Sequence, residues 1–370
     1  MNLKDILFRN ISQITPPAFG LDISDLSMKI AFLKRHRKEI RLESFGRKEI
    51  PKGIINEGKI QKKDDLIKII KEVAKEVKDK KLKTKYVVCS LPEQHAFVQV
   101  IQLPKMKLAE AKEAVKWEAE ANIPMSIDEV YLDWEVVKPL VNRLDHLDIL
   151  INAVSKTLVN DYVEVLEGAG LRPIALEVES LATARSLVKQ AIAKKPLLIV
   201  DLGSTRTSFI IFSGHAVRFT TSISISNRRM INAIAKNLKI TTAEAWRLKV
   251  KVGLSNTKHG DKVLSILLPA LNSLVEEIEK YIVFHREHAA PHEHGSGGEI
   301  SKIMLCGGGA NLKGLPQFLS ERFKIPVVCG NPWVNILKPP IKSIPELSYQ
   351  ESLTYVTALG LALWDISCRK

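Results

Sequence analysis

The sequence predicts an α/β protein of two lobes, each begun by a similar strand-turn-strand unit. The chain has 370 residues, more than the roughly 250–300 at which a single core stops growing. Strand-like and helix-like apolar periods alternate along it. A pattern near the N-terminus, in which an apolar strand ends on an aspartate (Gly20-Leu21-Asp22), returns at mid-chain as Ile199-Val200-Asp201, the mark of an internal duplication.

After a short tail with Thr15-Pro16-Pro17, the stretch Phe19–Leu33 alternates as a strand, turns at Ser24–Ser27 and resumes, which reads as a hairpin. Between Asp64 and Lys80, Leu66, Ile67, Ile70, Val73, Ala74 and Val77 recur at helical spacing with lysines on the opposite face, so a helix is expected to cover the first sheet. A strand over Tyr86–Ser90, an extended stretch over Phe97–Leu103 and a helix over Leu108–Ala121 follow, the helix stopping before Ile123-Pro124. Asp148–Val154 reads as a strand, Leu158–Ala169 as a helix closed by Gly170, and Ile174–Val178 as another strand. At Pro196 the pattern restarts: Leu197–Leu202 is a buried strand, 203–207 a polar turn, Ser208–Phe212 a second strand. Leu264–Phe284 is a long amphipathic helix, Ala289–Glu299 a loop, Lys302–Cys306 a strand running into Gly307-Gly308-Gly309, and Ser352–Trp364 a helix carrying the small residues Ala358, Gly360 and Ala362. Such a duplication implies two facing lobes, and a cleft of that kind is a natural ligand site.

Composition bounds the setting. With 45% apolar residues both lobes can fill a core. The start carries Lys4, Asp5 and Arg9 within a short apolar stretch and no small-residue cleavage site, so no signal peptide is expected. No uncharged apolar run approaches the ~20 residues that span a bilayer. Cys89, Cys306, Cys329 and Cys368 lie far apart, which fits reduced thiols and a cytoplasmic location. The net charge is +14, and residues 29–85 hold 20 Lys/Arg against 9 Asp/Glu. That region is either a solvated lysine-rich face or a contact with anionic lipid or an acidic partner; without a recognised motif beside the charge, no nucleic acid is expected.

A phosphate held by backbone needs successive N–H groups pointing inward, favoured by Gly and small Ser or Thr, with a carboxylate nearby to orient water on a metal. Both hairpins carry such residues: Asp22, Ser24, Ser27 and Lys29 in the first; Asp201, Gly203, Ser204, Thr205 and Thr207 in the second. Most Ser/Gly/Asp turns are only turns. Their pairing with Gly307, Gly308 and Gly309 after a third strand is more specific, because a glycine run there lets a purine ring lie flat against backbone.

The order GLDI-x-x-x-S-x-K (Gly20 to Lys29), DLGSTRT (Asp201 to Thr207) and MLCGGGANLKGL (Met304 to Leu315) resembles the phosphate-one, phosphate-two and adenosine motifs of actin-like ATPases. Within that superfamily the chain is similar to the PilM family of type IV pilus assembly. The similarity rests on Leu103-Pro104, Trp117-Glu118-Ala119-Glu120, Ile123-Pro124, Asp128-Glu129-Val130, Leu132-Asp133, Ala169-Gly170-Leu171-Arg172-Pro173 and Glu177 to Ala182. It covers about residues 18 to 364. The resemblance implies an actin-like (ribonuclease H-like) duplicated α/β fold with a small inserted α/β subdomain. The expected boundaries are a tail over 1–17, a first lobe begun over 18–90, the insertion over 91–172, a return over 173–196, the second lobe over 197–340 and a closing segment over 341–370. It also implies a cytoplasmic scaffold peripheral at the inner membrane. Expected partners are the N-terminal tail of a PilN-like membrane protein and other assembly-platform proteins. Expected ligands are ATP, with Lys249 added to the cofactor-binding set, and magnesium held through water by Asp22 and Asp201.

The departures bear on turnover. Ser24 stands where the family usually has a second glycine, and Asp25 follows it; a carboxylate facing the terminal phosphate at ~4 Å costs on the order of 1–4 kcal/mol unless a metal or a turned-away side chain relieves it. Trp246 occupies the place of a common Glu near the ribose, and Ser226-Asn227 stands where Gly-Gly is frequent. A weakened nucleotide site and at most slow hydrolysis are expected, with no catalytic residue assigned. Rival readings are an active actin-fold ATPase or sugar-kinase relative, for which Glu177 and Glu179 are candidate carboxylates, and a relative of the cell-division protein FtsA. His285, His288, His292 and His294 have workable metal spacing but sit in a Gly/Ser-rich stretch that suits solvated side chains better. Trp117 and Trp134 are expected in the core.

Overall fold

A computed structural model of the chain describes residues 17–37, 39–140, 146–288, 298–341 and 344–368. The tail and the His292-His294 loop lie outside them. Two compact units emerge, one from the described residues within 1–138, 143–191 and 331–370, the other from those within 139–142 and 192–330.

In the first unit β1 (Phe19–Ser24) turns back antiparallel as β2 (Ser27–His36), with Asp22 opposite Lys29, and β3 (Glu39–Glu49) extends the meander. A tight hairpin of β4 (Ile55–Asn56) and β5 (Lys59–Ile60) leads into α1 (Lys63–Lys75), whose Leu66, Ile69, Ile70 and Val73 are buried. The helix stops five residues before the Lys80 that periodicity suggests. Lys78–Asp79 instead form β6 against Phe45 and Ser44 of β3, and Lys80 Nζ pairs with Glu43 Oε2 at 2.6 Å. Val77 keeps its helical-period burial by packing over Gly46, so the apolar spacing survives although the helix does not. Next, β7 (Tyr86–Leu91) pairs parallel with β1.

The chain then leaves for the inserted subdomain: β8 (Ala96–Pro104), α2 (Leu108–Asn122), β9 (Val130–Val136) and β10 (His146–Ser155). Helix α2 starts where Glu110 accepts the Lys107 N–H and ends at an extended Ile123, as the following proline requires. β10 is central, antiparallel to β8 and to β9. Ile101, Leu103, Ala111, Val115, Ala119, Ile149 and Ile151 give this subdomain its own core. α3 (Lys156–Gly168) carries the chain back, closed by Gly170 at φ +81, to β11 (Arg172–Val178) parallel to β7, and α4 (Glu179–Leu187) follows.

The second unit repeats the plan. β12 (Ala193–Leu202), β13 (Thr207–Gly214) and β14 (Ala216–Ile223) form an antiparallel meander. Helices α5 (Asn227–Leu238), α6 (Thr242–Lys251) and α7 (Lys258–His288) precede β15 (Lys302–Cys306), parallel to β12, then α8 (Leu315–Phe323) and β16 (Val327–Cys329). The order β16-β15-β12-β13-β14 has the same connectivity as β11-β7-β1-β2-β3. The duplication legible in two aspartates is thus a duplication of five-stranded sheets. α7 begins before the expected Leu264 because Thr257 Oγ1 accepts the Gly260 N–H.

Asn331 onward returns to the first unit. Trp333 and Ile336, expected with the second lobe, pack instead with Ala31, Leu33 and Phe45. The closing helix is divided into α9 (Tyr349–Ser352) and α10 (Val356–Cys368). α10 is buried nearly all round, and a Cβ added to Gly360 would overlap Ala182 O of α4, while one on Gly20 of β1 would overlap Ala358 O. Only glycine permits backbones so close. Gly360→Ala is therefore expected to lower stability by about 1–3 kcal/mol through overpacking, read as an earlier denaturant midpoint. A midpoint equal to wild type would show that the helix yields at no cost.

Candidate functional site

Each unit carries its own constellation at the end of its first strand. In the first, Asp22 is buried and pairs with Lys29 Nζ at 2.8 Å across the hairpin. Ser90 of β7 donates to Asp22 Oδ1 at 3.5 Å and accepts the Ile23 N–H at 3.0 Å. Ser24 Oγ donates to Ser27 O at 2.9 Å, closing the turn. Asp25 does not face the turn's mouth: its Oδ1 accepts the Gly58 N–H at 2.8 Å. Of the two ways to relieve a like-charge clash with phosphate, the structure adopts the turned-away side chain. Ser90 went unnoticed in the sequence because its partner lies 68 residues away, with no spacing signal to connect them.

In the second unit the 203–206 loop is fastened to the start of α5. Asn227 N–H donates to Gly203 O and Arg228 N–H to Ser204 O. A planar peptide then directs the N–H groups of Ser204 and Thr205 the other way, the orientation an anion needs. Arg206 Nε donates to Ser222 Oγ at 3.1 Å, bracing the loop. Thr207, expected to touch a ligand, is fully buried and donates its hydroxyl to Ile225 O at 2.8 Å; it holds the loop instead. Asp201 accepts from the Cys306 thiol, whose pKa burial and that carboxylate push well above the ordinary range. Gly307 has φ +76, and a Cβ there would overlap Asp201 Oδ1 and stand 2.6 Å from Leu202 O. The glycine run therefore has a packing reason of its own beside any purine.

Lys249 is the most unusual residue of this constellation. It is wholly buried, and its Nζ donates to Asn227 Oδ1 at 2.7 Å and to Gly308 O at 2.8 Å. Burial lowers its pKa to about 7, since both acceptors are neutral and neither compensates the lost hydration of an ammonium. Asn227, which the sequence presents as a lost glycine, is thus a lysine ligand. Arg228 and Arg229 add positive charge to a first helical turn that has no acidic residue. Such surroundings fit an anion, so the residues present suit a phosphorylated ligand. Trp246 stands 49% exposed on α6, the helix of Lys249.

In the subdomain, β9 stands at the end of its sheet order, with β10 between it and β8. The Asp133 and Glu135 side chains reach solvent from this strand, yet surrounding protein raises both carboxyl pKa values. Desolvation is the chief cause; for Glu135 the charges of Asp133 and Glu177 add to it and Arg185 opposes it. Glu177 is already held by Arg185 through paired hydrogen bonds, which removes it as an unengaged catalytic base. Trp117 is 69% exposed on α2 and does not belong to the core, whereas Trp134 packs against it. Among the described residues no group of three His, Cys, Asp or Glu could hold a metal; His285 is buried, and burial together with Arg218 lowers its pKa. No helix among them is long and apolar enough to cross a membrane.

Comparison with known proteins agrees with this architecture. The family model described as type IV pilus assembly protein PilM matches residues 20–366. A solved PilM-PilN type IV pilus biogenesis complex contains a chain that superposes with a TM-score of 0.76 at 26% identity, covering 95% of this chain and 99% of that one. MreB5 of Spiroplasma citri bound to AMPPNP shares the fold at 13% identity, with a TM-score of 0.54 over 96% and 97%. The cell-division protein FtsA of Pseudomonas aeruginosa is 26% identical over 53% of this chain and 48% of its own length. The chain matches about half the length of such curated relatives.

The lysine gives a pH prediction. Its folded pKa, about 7, lies below the ordinary ~10.4 of an unfolded lysine. Below pH 7 the ammonium is charged in both states and its desolvation cost is fully felt; as pH rises towards 10 the cost fades, because the unfolded state then binds more protons. Wild-type stability relative to Lys249→Met should therefore improve between pH 6.5 and 9.5, measured by urea midpoints. A difference that does not change with pH would contradict the buried ammonium.

Proposed function

The chain belongs to the PilM family of type IV pilus assembly proteins, and from that membership we propose that it is a cytoplasmic scaffold at the inner membrane that docks the extended N-terminal tail of a PilN-like membrane protein. The observation that carries the reading is the inserted subdomain, which has its own apolar core and presents an outer strand, β9, with one ladder edge unpaired among the described strands. An extended tail adds main-chain hydrogen bonds along such an edge while alternate side chains fill pockets. Asp133 and Glu135 on that strand favour a tail carrying a Lys or Arg. Anchoring the tail raises its local concentration, so a modest affinity suffices to hold the scaffold and bring it to other platform proteins.

Nucleotide is proposed as a weakly held ligand. Lys249, Gly203, Ser204, Thr205 and Gly307–Gly309 of the second unit would engage it, with Asp201 acting on magnesium through water. ATP when bound supplies a polyphosphate anion; the protein's own part is to orient it, with the basic first turn of α5 beside Lys249 favouring its charge. Trp246, exposed at a place where related sites commonly have a Glu near the ribose, supports weak binding and little turnover. Any influence of nucleotide on the tail must be matched by an equal influence of the tail on nucleotide.

Calorimetric titration with synthetic N-terminal tails encoded by neighbouring pilus-assembly genes should give micromolar binding of at least one, with ATP turnover near background. No tail binding together with robust turnover would transfer the protein to the ATPase reading.

The lysines between 71 and 85 are proposed to meet anionic lipid. Lys71, Lys75, Lys78, Lys81, Lys83 and Lys85 are exposed, and each near a charged surface contributes about 1 kcal/mol. Flotation with anionic vesicles should recover the protein at low salt and lose it as the screening length shortens. Equal recovery with neutral vesicles would leave only a solvated face.

A further inference from the structure

The β4–β5 turn is a strained element that every neighbour grips. Glu57 and Gly58 have φ of +49 and +78, the left-handed pair of a two-residue hairpin turn, unfavourable for the glutamate. Gly58 N–H is accepted by Asp25 Oδ1 at 2.8 Å, Gly58 O receives the Tyr162 hydroxyl at 3.0 Å, and Glu57 O lies 2.7 Å from His95 Nε2. A Cβ at Gly58 would stand 2.6 Å from Pro92 and 2.8 Å from Gln94 Nε2.

The positions of these partners along the chain give the contacts their meaning. Pro92 to His95 is the passage from β7 into the subdomain's first strand. Tyr162 lies in α3, the passage out of its last strand, and is fully buried. The same two passages are pinned nearby: Glu93 Oε2 accepts the Ser180 N–H at 3.1 Å, and Lys156 Nζ donates to Asp128 O at 2.6 Å. Tyr131 of β9 reaches Asn160 of α3 at 3.2 Å. The turn is thus a wedge between the entry and exit of the insertion, and the side chain fixing the wedge to the first hairpin is Asp25.

We propose that Asp25 is a positioning residue that locks the β4–β5 turn against both passages of the inserted subdomain and so sets the orientation of its β9 edge. This rests on the docking reading above and adds its control: tail affinity depends on a side-chain acceptor oxygen in the turn that would otherwise be counted only as a phosphate-loop departure. Asparagine keeps the acceptor Oδ1, whereas alanine removes it and leaves the Gly58 N–H unpaired. Tyr162→Phe loosens the same turn from its other side.

Hydrogen exchange on the full chain and titration of the synthetic tail test this together. Asp25→Ala should speed exchange at least tenfold in peptides spanning 55–60 and 91–97, with β1 and β7 unchanged, and weaken the tail five- to tenfold. Asp25→Asn should stay within twofold of wild type in both. If Asp25→Ala fails to fold, Tyr162→Phe should give the same pattern of local exchange. Unchanged exchange at 91–97, or Asp25→Asn as damaging as Asp25→Ala, overturns the lock; faster exchange with unaltered tail affinity overturns its link to docking. Should no tail bind the wild type, the docking reading fails while the exchange result still decides the role of Asp25.

Discussion

The first unit depends on one close approach, where α10 lies on β1 and α4 at backbone separation. Gly20 and Gly360 make the approach possible, and Ala358 and Ala362 keep the helix slender where it touches the sheet. Because those backbones meet, β1 is fixed along its length, and its last residues are fixed with it. Asp22 emerges at the strand end already paired with Lys29 and Ser90, so the hairpin turn beyond it has little freedom. The same helix buries Leu359 and Leu363 beside Trp333 and Ile336, which draws the chain after residue 330 into this unit.

The second unit uses the same five-strand plan with different electrostatics. Its strand end, Asp201, is joined to a thiol and a glycine run, and the nearby cation is an ammonium with two neutral acceptors and no carboxylate. A buried charge without a counter-charge is costly, and it is retained most readily where an anion completes it. The two constellations therefore differ in kind: Lys29 is paired with a carboxylate, whereas Lys249 is held by neutral acceptors.

The inserted subdomain is tied to the first hairpin through the β4–β5 turn. The two ends of the insertion, the β4–β5 turn and the first hairpin share one set of hydrogen bonds. A residue that departs from the phosphate-loop pattern in sequence is, in space, the side chain that ties the first hairpin to the β4–β5 turn.

Much of the fold was legible in the sequence because its cause is local. Apolar period located the strands Tyr86–Ser90 and Lys302–Cys306 and helix α2, the repeated Gly-Leu-Asp and Ile-Val-Asp strand ends disclosed the duplication, and glycine runs marked the third motif. Tertiary structure decided what local pattern leaves degenerate. Periodicity carried α1 to Lys80, but β3 recruited Lys78–Asp79; the Trp117 side chain looked like core, but α2 turned it outward. The partners of the polar residues were likewise decided at a distance: Ile225 O for Thr207, Gly58 N–H for Asp25 and Asn227 Oδ1 for Lys249. Sequence spacing reports which side chains share a face of one element. It cannot report which atom 20 to 100 residues away will satisfy a buried polar group, because that partner exists only once the sheets have brought the segments together.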